Sequence, residues 1–455
     1  MKEILRNLRQ FFNSGATFDI SWREAQLRAL MAMIDAESAS LYEALQCDLG
    51  KSAQEAWLTE IGFVQHEARH ALDHLRSWCR PRRVSTPIFL KPASSWIRPQ
   101  PRGLALIIAP WNYPIQLTLS PLIAAIGAGD VCVMKPSEIA PATSSWLTQN
   151  IPKYLDKRAF AVIEAGPEKT AELLREKFDF IFFTGGTTVA KHVASAAALY
   201  LTPTVLELGG KSPCIVTHCR HIASAANRIV FAKFLNAGQT CVAPDYVLVQ
   251  EELREPLERE LKRAIFEQYG CENAPSCMAR IINAKHFQRL DALMGNGEII
   301  IHGGARSAET LMFAPTLMEV QVDHPCMDEE IFGPILPIVS IQGANPMDEA
   351  ELLIAYHPTP LACYLFSDDK RDVERCQRIV SGGFCHNDAL MHLSNVRLPF
   401  GGVGTSGHGS SHGKAGFESF SHLRAELHQS SKIDIKLRYP PFTESAMKWL
   451  RRFFK

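Results

Sequence analysis

Three side chains in this sequence have the types and settings that carbonyl chemistry needs. Cys241 stands in NAGQTCVAPDY (236–246), among small, polar and turn-forming residues. Free cysteines are ordinarily buried among apolar neighbours and the chain has 12 of them, so its setting singles this one out. Glu207 follows the apolar run TVL and precedes Gly209-Gly210, and Asn112 belongs to WNYP, directly after the apolar run LALIIAP. A thiolate can attack a carbonyl carbon, an amide N–H can hold the resulting oxyanion, and a carboxylate can activate the water that releases product. Taken singly, Glu207 is a capping or salt-bridged carboxylate and Asn112 a turn residue. Together the three are the parts of acyl transfer on an aldehyde or an ester.

The elements around them explain how they would meet. Residues 1–80 carry apolar residues at helical spacing, as in REAQLRALMAMIDAESASLYEAL, and predict amphipathic helices. Pro81, Pro87, Pro92, Pro99 and Pro101 then break the chain into extended or hairpin structure. From Leu104 strand-like and helix-like segments alternate: LALIIAP, VCVMKP, AFAVIEAG, FDFIFFTGG and TVLELGG read as strands with helices between them. Nearly all-apolar strands in βαβ order predict an α/β fold with a parallel sheet covered on both faces. Ligands of such sheets sit beyond the carboxyl ends of the strands, here WNYP, KPSE, TGG and ELGG. A second α/β stretch, with strands YVLVQ, EIIIHGG and ILPIVSI, follows Lys211.

Composition narrows the function classes. Lys+Arg and Asp+Glu both number 48, and no basic stripe announces a nucleic-acid partner. No apolar run is long enough for a signal peptide or a membrane span, and the scattered cysteines contain no C-x-x-C, so reduced thiols and a cytoplasmic location are expected. Two local motifs are set aside. His66-Glu67-Ala68-Arg69-His70 matches H-E-x-x-H, but the third-ligand extension is missing, with Asp73 and Arg76 in its place, so a solvated helix face is expected and no metal. Gly409-Ser410-Ser411-His412-Gly413 matches G-x-S-x-G, but a glycine-rich loop precedes it where a nucleophile elbow needs a strand.

Ten segments occur in register along the chain: PWNYP, MKPSE, FTGG, LELGGKSP, KFLNAGQTCVAPDY, EEIFGPILP, PLACYLFS, SGGFCHND, LPFGGVGTSG and HGKAGF. In these the sequence resembles the aldehyde dehydrogenases, most of all their class 3 group of fatty and aromatic aldehyde dehydrogenases. The resemblance implies a modified Rossmann NAD(P)-binding domain (1–85 and 102–210) and a catalytic domain (211–400). It also implies bridging or oligomerisation segments (86–101 and 401–455) and a homodimer. It makes Cys241 the nucleophile that forms a thiohemiacetal and then a thioester, with Asn112 in the oxyanion hole and Glu207 as the base for hydrolysis. Glu330 of EEIFGP lies near the nicotinamide ribose by the same resemblance and shares or takes over the base role, and Phe332 packs near the cofactor. Lys135 and Glu138 of MKPSE bind the adenosine ribose, where a carboxylate favours NAD without excluding NADP.

No G-x-G-x-x-G follows the first strand, which leaves Thr184-Gly185-Gly186 as the phosphate-facing candidate. Gly186 and Val189-Ala190 depart from the family pattern there, and THCRHIA (217–223), expected at the surface, replaces residues that are usually acidic. Competing expectations keep the thioester but pass the acyl group to coenzyme A, hydrolyse esters, or retain only the fold. After residue 430 seven basic residues face two acidic ones, with Ala446, Trp449, Leu450 and Phe453 at helical spacing. That tail suits weak contact with an anionic membrane surface or packing against the enzyme or a partner subunit. The ionisation of Cys241 is open: an unperturbed thiol is only roughly 3% thiolate at pH 7, and backbone dipoles, Glu207 or a bound nicotinamide cation would have to raise that.

Overall fold

The computed structural model of the chain describes residues 1–270, 278–343, 345–434, 436, 439–441 and 443–453. Its organising element is a six-stranded sheet in which Leu104–Ile108 lies between Phe180–Thr184 and Val131–Lys135. Thr204–Glu207 extends the first side and Phe160–Val162 the second, all parallel. Every residue of the three inner strands is buried, as expected of apolar runs covered on both faces. Gly407–His408 closes the edge antiparallel to Thr204–Glu207 and delivers the glycine-rich loop to the end of that strand.

A second, seven-stranded sheet carries Pro213–Val216, Tyr246–Gln250, Ile335–Ile341 and Ala362–Phe366 at its centre, all parallel. Alternate residues of one strand serve opposite faces: Val247 and Val249 join one core, Tyr246 and Leu248 the other. A third sheet is antiparallel, with Ser94–Pro101 paired along its length to Ser421–His428. Arg82–Val84, counted above with the cofactor region, is hydrogen-bonded into this third sheet.

Two sequence expectations need correction. Glu67 is not on a solvated face: it is 2% exposed on the helix Gly62–Trp78, because Phe63, Glu67, Ala71 and Leu75 share one side at helical spacing and that side is buried. Its Oε1 accepts the N–H of Gly413, which ties the helix to the glycine-rich loop. In THCRHIA, His218 and Arg220 are exposed, but Thr217 and Cys219 turn inward. The Thr217 N–H still bonds the Phe366 carbonyl at 3.0 Å, but the Pro213–Val216 strand ends there, because the backbone turns left-handed at His218, φ 44°.

The chain near its C terminus forms a helix, Glu444–Phe453. The side chains of Ala446, Trp449, Leu450 and Phe453, on which the membrane expectation rests, lie outside the described residues.

Candidate active site

Glu207 ends its strand with the side chain 4% exposed, and neither carboxylate oxygen has a hydrogen-bond partner. The nearby Ser411 hydroxyl donates to the Phe400 carbonyl at 3.3 Å and stands close enough to the carboxylate to pull its value down. Burial nevertheless dominates and pushes the Glu207 carboxyl up to about 8. The same strand end accepts the Gly185 N–H at 3.1 Å through the Glu207 carbonyl, which sets Thr184-Gly185-Gly186 beside it. Glu330 reaches the site from the second sheet's side. Its carboxylate packs so closely on Gly209 that a Cβ there would overlap it. Burial first, and the Asp245 carboxylate second, push Glu330 up to about 8, against the Gly210 N–H and the cations Lys211 and Arg289.

Cys241 is partly exposed to a cavity that Glu207 also lines. The chain approaches it through an unusual turn: Asn236, Ala237 and Gly238 all have positive φ, 55°, 53° and 72°. For Asn and Ala this costs about 1–2 kcal/mol each and persists only where surrounding contacts impose it. Those contacts are visible. The Asn236 N–H donates to Glu55 Oε1 at 2.6 Å, the Asn236 amide to the carbonyls of Asn112 and Gln239 at 2.8 and 3.2 Å, and a Cβ on Gly238 would overlap the Gly333 carbonyl. Burial, then Glu330, then Glu207 push the Cys241 thiol well above its ordinary value, while the N–H groups of Cys241 and Val242 pull it down. Of the three sources of ionisation named above, the backbone dipoles are thus present but outweighed.

Asn112 is 3% exposed, and its amide donates to the Gln239 carbonyl at 3.0 Å, two residues before Cys241. The neighbouring Tyr113 hydroxyl shares a 2.5 Å bond with Thr240 Oγ1. The structure thus brings Asn112, Glu207, Cys241 and Glu330 to one place. Of these, Glu207 and Cys241 line the cavity, which has an empty volume of about 1020 Å³ including its mouth and a mainly apolar wall that includes Leu58, Phe63, Leu117, Phe231, Met391 and Phe400. Sequence reasoning missed this lining, because its residues come from distant segments with no shared motif. His412 and Ser411 of the glycine-rich loop also line it.

The dinucleotide candidates lie along the same strand ends. Lys135 Nζ meets Glu138 Oε2 at 2.5 Å at the end of Val131–Lys135. The helix Thr187–Ala198 begins at Gly186 with no side chain capping it, and a Cβ on Gly186 would meet only open space. Uncapped N–H groups at a helix start, with room before them, fit a pyrophosphate, and the unpartnered buried Thr184 hydroxyl lies beside them. Phe332, at φ 48°, sets its ring edge-on to Trp111 at 5.4 Å, and Arg289 holds the turn by donating to the Ile331 carbonyl at 2.7 Å. The residues present fit NAD(P).

A strand-end carboxylate and an uncapped helix start at one parallel sheet, facing a thiol that follows a strained turn before the second sheet, define the class of a thiol-bearing dinucleotide enzyme, and the comparisons identify which. The chain belongs to the aldehyde dehydrogenase family, whose sequence profile, "Aldehyde dehydrogenase family", matches residues 1–425. It is 46% identical to aldehyde dehydrogenase family 3 member B1 of Rattus norvegicus, over 98% of this chain and 96% of that protein. It is 42% identical to 4,4'-diaponeurosporen-aldehyde dehydrogenase of Staphylococcus aureus, over 98% of this chain and 97% of that one. The solved structure "Substrate bound state of Staphylococcus Aureus AldH" superposes with a TM-score of 0.96 at 41% identity, covering 100% of this chain and 99% of that chain. The protein is an NAD(P)-dependent aldehyde dehydrogenase.

Proposed function

We propose that Cys241 attacks the aldehyde carbonyl, that the Asn112 amide holds the oxyanion, and that Glu207 activates the water that releases the carboxylic acid. The observation that carries this is the placement of an unpartnered carboxylate, Glu207, in the wall of the cavity that exposes Cys241. NAD(P), when bound, supplies the hydride acceptor. Lys135, Glu138, Thr184, Gly186 and Phe332 are the residues that would hold it. The Asn112 amide carries two N–H groups, of which one is given to Gln239 and one remains to meet an oxyanion. Glu330 is the second carboxylate near the site and the alternative base; the Gly210 N–H and the cations Lys211 and Arg289 act on it, which favours Glu207 for general-base work. The Glu138 carboxylate favours NAD, whose ribose 2′-hydroxyl it can accept, over a 2′-phosphate.

The substrate class follows from the cavity: its mainly apolar wall suits medium- and long-chain or aromatic aldehydes over small polar ones. A relative at 42% identity is named for 4,4'-diaponeurosporen-aldehyde. We further read the protein as a cytoplasmic homodimer, since a nucleophilic thiol is kept reduced in that compartment. The exposed Leu423 and Leu427 on the third sheet offer a face to a second copy. The test is an aldehyde panel of rising chain length assayed with NAD and with NADP. Rates should rise from acetaldehyde to decanal, with NAD preferred. Cys241→Ser should lose more than about 10³-fold in kcat while still binding NAD, and retained turnover would overturn the role of Cys241.

A further inference from the structure

Lys51 and Glu60 form an ion pair at 2.6 Å with both side chains wholly buried. Such a pair is a poor source of stability, because the desolvation of two charges offsets their attraction, and an apolar replacement is often as stable. Its contacts point to another role. Glu60 lies in the π-helical turn Trp57–Ile61, and its second oxygen accepts the N–H groups of Ile115 and Gln116, at 2.8 and 3.3 Å. These are the first N–H groups of the helix Gln116–Ala128, which has no side-chain cap of its own. Lys51 spends its other donors on the same segment. It donates to the Asn112 carbonyl at 3.2 Å and stands 4.1 Å from the centre of the Tyr113 ring, so one ammonium contacts a carboxylate, a carbonyl and a π face.

We infer that Lys51, charge-balanced by Glu60, is a positioning residue for the oxyanion donor Asn112, an inference that rests on the role proposed for Asn112 above. The Asn112 carbonyl is held from two sides, by Lys51 Nζ and by Asn236 Nδ2 at 2.8 Å. From that fixed peptide the Asn112 side chain donates to the Gln239 carbonyl at 3.0 Å. Gln239 is itself immobilised, since its amide donates to the carbonyls of Asn236 and Arg280 and accepts the Ile282 N–H, each at 3.0 Å. Asn236 belongs to the left-handed turn before Cys241, so one network sets both donor and nucleophile. Displacing a preorganised oxyanion donor by a fraction of an ångström lowers the rate of the chemical step and leaves dinucleotide binding alone.

The test is a double-mutant cycle on the full-length enzyme with NAD and octanal, using wild type, Lys51→Met, Asn112→Ala and the double variant. Lys51→Met should lower kcat about 10- to 100-fold with KM for NAD within about twofold, and in the Asn112→Ala background the same change should cost less than about threefold. Losses that multiply would overturn the inference while leaving the role of Asn112 intact. Unchanged turnover in Asn112→Ala alone would instead remove that role, and the inference with it. If Lys51→Met does not fold, the neutral pair Lys51→Gln/Glu60→Gln takes its place in the cycle, with the same coupling expected and the same multiplying losses fatal.

Discussion

Two buried glutamates stand near the same cavity and differ in one respect, whether they have partners. Glu60 has both oxygens occupied, by Lys51 and by two backbone N–H groups. Glu207 has neither occupied and is pushed up to about 8 by burial. A partnered charge is fixed and holds geometry, whereas an unpartnered one is poised to gain and lose a proton near neutral pH. The fold therefore spends one buried carboxylate on placing Asn112 and reserves another for chemistry.

The sharpest way to break this contrast is to neutralise Glu207. Glu207→Gln should still form one equivalent of NADH in a rapid-mixing experiment and then stall, with the steady-state rate down about 10²- to 10⁴-fold. A normal steady-state rate would transfer the base role to Glu330, which shares the elevated value of about 8. The pH dependence is the next test. At pH 7 a carboxyl of pKa about 8 is roughly nine-tenths protonated, and only the ionised form accepts a proton from water. The deacylation rate should therefore climb nearly tenfold per unit at low pH and level off above about 8, as read from single-turnover acid release. A flat profile between pH 6 and 9 would show that neither titrates as the structure implies.

How much of this the sequence disclosed depended on distance along the chain. Cys241, Glu207 and Asn112 were legible because each follows an apolar run or sits in an odd local setting, and the alternation from Leu104 to Gly210 fixed which strand ends would meet. The Lys51 and Glu60 contacts were not legible, since their partners lie 61 and 55 positions away and no local motif marks either residue. The cavity wall was hidden for the same reason. Glu67 was misread because a motif-like spacing of charged residues masked its place on the buried side of its helix. The left-handed run at 236–238 was hidden too, because Asn and Ala do not announce positive φ as glycine does.

The same two glutamates make a smaller but more discriminating prediction about stability. Glu60→Gln leaves Lys51 buried without its counter-charge, which costs about 3–5 kcal/mol, so its unfolding midpoint should fall. Glu207 should behave in the opposite sense. Its carboxyl binds a proton more tightly folded, at about 8, than at its ordinary value of 4.5. Between those values unfolding releases that proton, so the contribution of Glu207 to stability is whole below about 4.5 and is lost as pH rises through about 8. Glu207→Gln cannot ionise and does not suffer this loss. Thermal unfolding at pH 6 and pH 8.5 should therefore show the variant gaining on wild type as pH rises. A constant difference across that range would mean that Glu207 is already ionised at pH 6, and the contrast with Glu60 would collapse.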